Sequence, residues 1–277
     1  MRAAVVGHVE WVEFVRVERL PVAGEIIHAL EAWDEPAGGG AVAAVQLAKL
    51  AGGATFYTAL GDDDLGHRAH AALNDLGLEV RAAFRPERQR RAVVYLDAEG
   101  ERTITVIGDR LGPRGDDPLP WEELGAVDAV YFTAGDVDAV RAARAARTLV
   151  ATPRGLEILA AAHVQLDALV GSGRDTGERY EPGDLDPAPR LVVRTASGAG
   201  GEWERDGERR RYEAAPVPGP VRDAYGCGDS FAAGLTYGLG AGLPVGQAIE
   251  LAARCGAACL TGRGPYEGQL ASPAPLG

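Results

Sequence analysis

The sequence predicts an α/β fold: a mostly parallel central sheet covered by helices, with a small second β-sheet outside it. Three observations carry this expectation. From Asp128 onward, short apolar runs alternate regularly with helical stretches, the pattern of strands that lie parallel beneath crossover helices. Before that, two pairs of segments mix apolar and charged residues, as antiparallel strands with one wet face do. The length of 277 residues is enough to bury about three quarters of the unfolded surface in one large domain. One domain spanning 1–277 is expected, with the small sheet drawn from about 10–36 and 83–108.

In order, Ala3 to Gly7 reads as a short buried strand. Trp11 to Val17 and Glu25 to Trp33, split by Pro21 and Gly24, form the first wet-faced pair. Gly38-Gly39-Gly40 then opens a helix through Ala48. Ala54 to Leu60 is a strand running into Gly61-Asp62-Asp63-Asp64-Leu65-Gly66, whose acidic residues suit the start of the next helix. Asp63, His67 and His70 could share a helix face; a capped, solvated face is favoured over a metal site. The second wet-faced pair is Arg91 to Asp97 and Thr103 to Ile107. Next come strands at Ala129 to Thr133, Leu149 to Thr152, Ala168 to Gly171 and Leu191 to Thr195, with helices around Val137 to Arg147 and Leu156 to Ala162. A hairpin turns at Asp206-Gly207, and a last helix runs from Pro244 through Leu260. The Pro/Gly-rich end after Gly264 is expected to be loose.

Composition excludes several classes. A formal charge of −12 argues against a nucleic-acid surface. No apolar run reaches membrane-spanning length and no basic leader precedes Ala3, so a cytoplasmic protein is expected. Cys227, Cys255 and Cys259 lack zinc spacing and read as small core residues in a reducing compartment. The short clusters Arg88-Gln89-Arg90-Arg91 and Arg209-Arg210-Arg211 read as solvated faces, with one arginine reaching a ligand phosphate as the other reading. There is no P-loop and no protein-kinase lysine strand, so any phosphoryl transfer needs another scaffold.

The stretch Asp223-Ala224-Tyr225-Gly226-Cys227-Gly228-Asp229-Ser230-Phe231 carries the chemistry. Phe231, Leu235 and Leu239 recur every fourth residue on one buried stripe, and Gly234 and Gly238 let a neighbouring element approach closely. Gly226 and Gly228 free the backbone so that successive N–H groups converge at the positive end of this helix, where a phosphate or a developing negative charge fits. Asp229 in the same turn can take a proton from an attacking hydroxyl, and the helix end is expected to keep it ionised. An ordinary N-cap is the plainer reading of one Asp; the whole string is more specific.

That string closely resembles the signature of the ribokinase-like (PfkB) carbohydrate kinases, D-T-x-G-A-G-D-x-F, matched at Asp223, Gly226, Gly228, Asp229 and Phe231 and departing at Ala224 and Cys227. The resemblance implies a ribokinase-like three-layer fold with a β-sheet lid, ATP as donor, magnesium bridging its phosphates, and homodimers paired through the lid. It implies Asp229 as base and the N–H groups of Gly226, Cys227 and Gly228 as an anion hole. Asp223 would support the turn and a monovalent cation such as K+. Thr195, Ser197, Gly198 and Gly200, with Arg263 and Gly264 in a closing turn, would lie along the nucleotide. Ser172 and Asp175 would stand for the family's N-x-x-E pair, with Asp175 organising magnesium. Gly38, Gly39, Gly40 and Glu10 would meet the acceptor.

The acceptor is not fixed by these residues. Where sugar kinases of this family place an Asp and an Asn to grip hydroxyls, the chain has Val12 and one of Val42, Ala43 or Ala44. Glu10, Glu13 or His8 could substitute; otherwise the acceptor is less polar than ribose, a nucleoside, or a phosphorylated sugar. A catalytically weak nucleotide or sugar sensor is the second function class. A dinucleotide oxidoreductase, suggested by Gly38-x-Gly40-x-x-Ala43, is the third.

Overall fold

The computed structural model describes residues 1–271. Its first half comprises β1 (Ala3–Val6), β2 (Glu10–Arg16), β3 (Glu31–Ala37), α1 (Gly39–Ala51), β4 (Ala54–Gly61), α2 (Asp64–Asp75), β5 (Leu78–Arg85), β6 (Arg91–Leu96) and β7 (Arg102–Ile107). The second half comprises β8 (Ala129–Phe132), α3 (Val137–Ala143), β9 (Thr148–Ala151), α4 (Leu156–Ala162), β10 (Ala168–Ser172), β11 (Leu191–Thr195), β12 (Gly201–Arg205), β13 (Glu208–Tyr212), α5 (Cys227–Gly240), α6 (Val245–Cys259) and α7 (Gly264–Glu267).

Nine strands form one sheet in the order β13-β12-β11-β10-β9-β8-β1-β4-β5. Every pairing from β11 through β5 is parallel, and the β12–β13 hairpin closes one edge antiparallel. The central strands are buried on both faces, which is why they read as unbroken apolar runs. Ala3 and Val5 pack into a core with α1, α2, α5 and α6, while Ala4 and Val6 face a second core with α3 and α4. Helix, sheet and helix thus make three layers, as expected. The close approach read from Gly234 and Gly238 is to α6: an added Cβ would lie 2.9 Å from Ala252 Cα and 2.8 Å from Ala248 Cα.

A four-stranded sheet, β3-β2-β6-β7, stands apart. The two wet-faced pairs are its antiparallel hairpins, joined by parallel pairing of β2 with β6. Its third strand is not where the sequence placed it. Glu25 to Leu30 lie in a loop, and the strand occupies Glu31–Ala37 with Pro36 inside. Because β3 is an edge, the N–H that proline lacks is not needed by a neighbour. At the other boundary, Ala83 to Arg85 belong to β5 of the large sheet rather than to the small one. The helix expected to reach Arg147 stops at Ala143.

The small sheet is tied to two segments flanking the start of α5. Arg16 donates from both terminal nitrogens to Arg222 O at 3.3 Å, Tyr266 Oη donates to Pro36 O at 2.5 Å, and Arg263 Nε meets Glu31 Oε1 at 2.6 Å while its guanidinium lies 4.1 Å from the Trp33 ring centroid. Ala224 N donates to Gly100 O in the β6–β7 turn at 3.2 Å. Of the end expected to be loose, Gly264–Glu267 form α7; residues 272–277 lie outside the described residues. Among the described residues, no helix is long and apolar enough to cross a membrane.

Candidate active site

Strand ends determine where chemistry gathers. At the carboxyl edge of the parallel sheet, β1 delivers His8, β8 Thr133, β9 Arg154, β10 Ser172 and β11 Thr195 and Ser197, and the amino end of α5 meets them. The small sheet closes over this edge with Glu10, Arg90, Arg102, Ile104 and Val106. The result is a cavity of about 770 Å³.

The start of α5 leaves several backbone N–H groups free among the described residues. Gly226 has φ 80°, in the left-handed region that glycine occupies without strain, and an added Cβ there would sit 2.8 Å from Val42 Cγ1. The first hydrogen bond of the helix is Ser230 N to Gly226 O at 2.9 Å, and the N–H groups of Cys227, Gly228 and Asp229 donate to no partner among the described residues. The Cys227 side chain turns to the buried Cys259 thiol, and that contact, with burial adding to it, pushes its own thiol pKa up. Asp223 is fully buried; Oδ1 accepts from Tyr225 N at 2.8 Å and Oδ2 from Gly264 N at 3.1 Å. It clamps the turn ahead of α5 to the first residue of α7.

Asp229 faces the glycine turn ahead of α1. A Cβ on Gly39 would fall 2.8 Å from Asp229 Oδ1, so this glycine is what lets the carboxylate stand there. Gly38, with φ 87°, donates its N–H to Tyr225 Oη at 3.2 Å, tying the two glycine turns together, while Gly40 packs against the His8 backbone. The expectation that the helix end keeps Asp229 ionised is corrected: burial, then the nearby Glu178 carboxylate, raises its pKa to about 7. Arg102 and Arg154 oppose the rise. Some water reaches Asp229 through the cavity mouth, but protein encloses it on the remaining sides and enclosure governs its titration.

Two further groups sit beside Asp229. Glu10 is paired with Arg90 Nε at 2.8 Å and lies 3.8 Å from His8 Nε2; burial raises its pKa against the pull of Arg90. Burial and three arginines hold His8 well below the usual histidine range, so its ring is neutral. His8 Nδ1 and Thr133 Oγ1 are buried without hydrogen-bond partners among the described residues, which marks a place for a polar ligand. On the opposite wall, Arg154 bridges Asp175 and Glu178, meeting Glu178 Oε1 at 2.8 Å. Asp175 is held below the usual carboxylate range by the Gly177 N–H, with Arg154 helping.

Of the expected nucleotide residues, Thr195 and Ser197 line the cavity, and the turn through Gly198 to Gly200 follows them, Ser197 at φ 55° and Gly200 at φ 78°. Arg263 and Gly264 are not brought to this wall; they lie against β3 at Glu31, Trp33 and Glu35. Asp63 is a helix cap that also accepts from Gln89 N, His67 stacks on Phe84, and no group of three acidic, histidine or cysteine side chains fit for a metal occurs among the described residues. Several site groups escaped the sequence, Glu178 and Arg90 among them. Glu178 stands three residues after Asp175, so the spacing that marks the family's pair was present one step further along the chain than Ser172 and Asp175. Arg90 lies in the cavity rather than on a solvated face, and only its position beside β6 distinguishes it from Arg88 and Arg91.

The profile of the "pfkB family carbohydrate kinase" matches residues 2–156 and 189–271. The chain belongs to this family of carbohydrate kinases. Membership makes it an ATP-dependent phosphotransferase with an alcohol acceptor of the sugar-kinase class. Over 281 aligned residues it is 29% identical to an ATP-dependent ribose-1-phosphate kinase of Halopiger xanaduensis, spanning 93% of this chain and 91% of that protein. It is similar in fold to Arabidopsis thaliana ribokinase complexed with ribose and ATP (TM-score 0.74, 23% identity, 97% and 95% of the two chains). It is likewise similar to adenosine kinase from Sinorhizobium meliloti (0.76, 20%, 95% of each chain). At such identities the two solved structures bear on the fold alone. Within the family, the dinucleotide reading of Gly38-x-Gly40 falls away: the turn follows β3 of the small sheet instead of the first core strand.

Proposed function

We propose that this pfkB-family enzyme transfers the γ-phosphoryl group of ATP to a hydroxyl of a sugar or sugar-like small molecule, with Asp229 as general base and the amides of residues 226–228 as the anion hole. The acceptor oxygen attacks the γ-phosphorus and its proton passes to the Asp229 carboxylate. The bond from the γ-phosphorus to the bridging oxygen breaks, and ADP leaves with that electron pair. The unspent N–H groups of Cys227 and Gly228 meet the charge on the transferred group. One observation carries this reading: donors without partners and a carboxylate titrating near 7 stand in the same turn, on the wall of one cavity. A base poised near the working pH is what proton abstraction from an alcohol requires.

Thr195 and Ser197 would receive the nucleotide, with the turn through Gly198 and Gly200 beside them. Arg263 and Gly264 would hold the lid. His8, Glu10, Gly38 and Gly39 would surround the acceptor. Asp175 and Glu178 suit a magnesium ion, which takes one or two carboxylates and completes its shell with phosphates and water; when bound it supplies charge neutralisation at the phosphates. Exposed Val22, Ile26 and Leu30 in the β2–β3 loop support pairing of two chains through the small sheet, which sedimentation velocity tests by showing a dimer or a monomer.

The deciding experiment is ADP release with ATP and magnesium across ribose, ribose 1-phosphate, ribose 5-phosphate and adenosine. Turnover of at least one alcohol, lost in Asp229→Asn, is the expected result. Nucleotide binding without turnover of any acceptor would leave the sensor reading in its place.

A further inference from the structure

The protein carries a net charge of −12, yet its cavity is lined by Arg90, Arg102, Arg110, Arg154 and Arg174. These arginines are not equivalent. Arg102, at the turn end of the β6–β7 hairpin where it pairs with Leu96, is the cation that most opposes protonation of Asp229, and Arg174 follows β10 beside the Thr195–Ser197 wall. Arg90 and Arg110 stand at the opposite side, flanking the β6–β7 hairpin at its base, where Arg91 pairs with Ile107. With Arg154 they are the three cations that depress His8, and Arg110 feels both of the others. Arg90 is neutralised by Glu10 and Arg154 by Asp175 and Glu178. Arg110 makes no ion pair or hydrogen bond among the described residues, although burial and Arg90 disfavour its charge. The carboxylates at hand are engaged by Arg90 and Arg154, so Arg110 is the one guanidinium of the three with no counter-charge in contact, which an anionic ligand would supply. The neutral His8 ring, its Nδ1 unpartnered, stands beside them.

Resting on the kinase reading above, we propose that the acceptor reaches this site already phosphorylated, its phosphate held by Arg110 with Arg90 and Arg154 while a free hydroxyl lies at Asp229. The lid arginines and the core arginine close on the anion from two sides. Hydroxyl-gripping side chains missing at Val12 and at Val42 to Ala44 are replaced by charge recognition. The acceptor phosphate is untouched by the reaction, so the product carries two phosphates on one small molecule.

The test separates binding from turnover. Isothermal titration of the full chain with ribose, ribose 1-phosphate, ribose 5-phosphate and ATP should show at least one pentose phosphate binding at least about a hundredfold more tightly than ribose, as charge-assisted contacts to phosphate allow. In Arg110→Met that preference should shrink at least about tenfold while ATP affinity stays within about twofold. Equal affinity for ribose and both phosphates overturns the proposal, as does a loss of ATP affinity in Arg110→Met, which would place these guanidiniums on the nucleotide. ADP release measured on the same samples reads the kinase proposal independently. Tight pentose phosphate binding without turnover sinks the kinase reading alone, and turnover of ribose equal to that of its phosphates sinks the acceptor assignment alone.

Discussion

Asp229→Asn should do two opposite things to this protein. Folding moves the Asp229 pKa from the ordinary 3.8 to about 7, chiefly by burial and then by Glu178. The native state therefore holds the proton more tightly than the unfolded chain. The associated stability is fully present in acid and is lost as the pH rises through about 7, above which the folded protein bears the whole cost of a buried carboxylate. At about 1.36 kcal/mol per pKa step, that cost reaches at most about 4 kcal/mol at pH 8 and falls to about 2 kcal/mol at pH 5, water in the cavity mouth reducing both. The asparagine variant carries no such charge. In nucleotide-free protein it should melt up to about 8 °C above the parent at pH 8, with roughly half that advantage at pH 5, because each kcal/mol shifts a domain of this size by about 2 °C. Turnover should fall at least about a hundredfold. Thermal unfolding at the two pH values and ADP release on the same preparations are the assays. A variant no more stable than the parent at pH 8, or equally advantaged at both pH values, refutes the burial argument. Turnover kept within tenfold refutes the base.

Glu178→Gln removes the carboxylate that adds most, after burial, to the Asp229 pKa, so the acid limb of the kcat/KM profile should move to lower pH; a limb that stays put or moves up would show that the two groups do not sense each other. Gly39→Ala forces a Cβ to 2.8 Å from Asp229 Oδ1, and the displaced carboxylate should cost at least about tenfold in kcat with little change in ATP affinity, read by steady-state kinetics. Gly226→Ala combines φ 80° with a clash at Val42, and urea unfolding should show a loss of about 2 kcal/mol or more.

The layered sheet was legible because β1, β8 and β9 are short runs buried on both faces, and nothing competes with that pattern. β3 was not, since a segment holding Asp34, Glu35 and Pro36 looks like a loop unless one knows that it lies at a sheet edge. The turn ahead of α5 was legible from two glycines and an aspartate before an apolar helix. Its titration was not. The pKa of Asp229 depends on Glu178, fifty-one residues earlier, and on how much water the lid admits. Arg110 carried no local signal at all: a single arginine in Gly-Asp-Arg-Leu acquires meaning only when the hairpin base sets it among other cations.

The moorings of the small sheet have a mechanical consequence. Arg16, Pro36, Glu31 and Gly100 grip the backbone at 222–224 and the side chains at 263 and 266, and Asp223 cross-braces these two stretches immediately ahead of α5. A swing of the small sheet would therefore pull on the stretch that leads into α5. On the kinase reading, a half-open enzyme would misalign that turn.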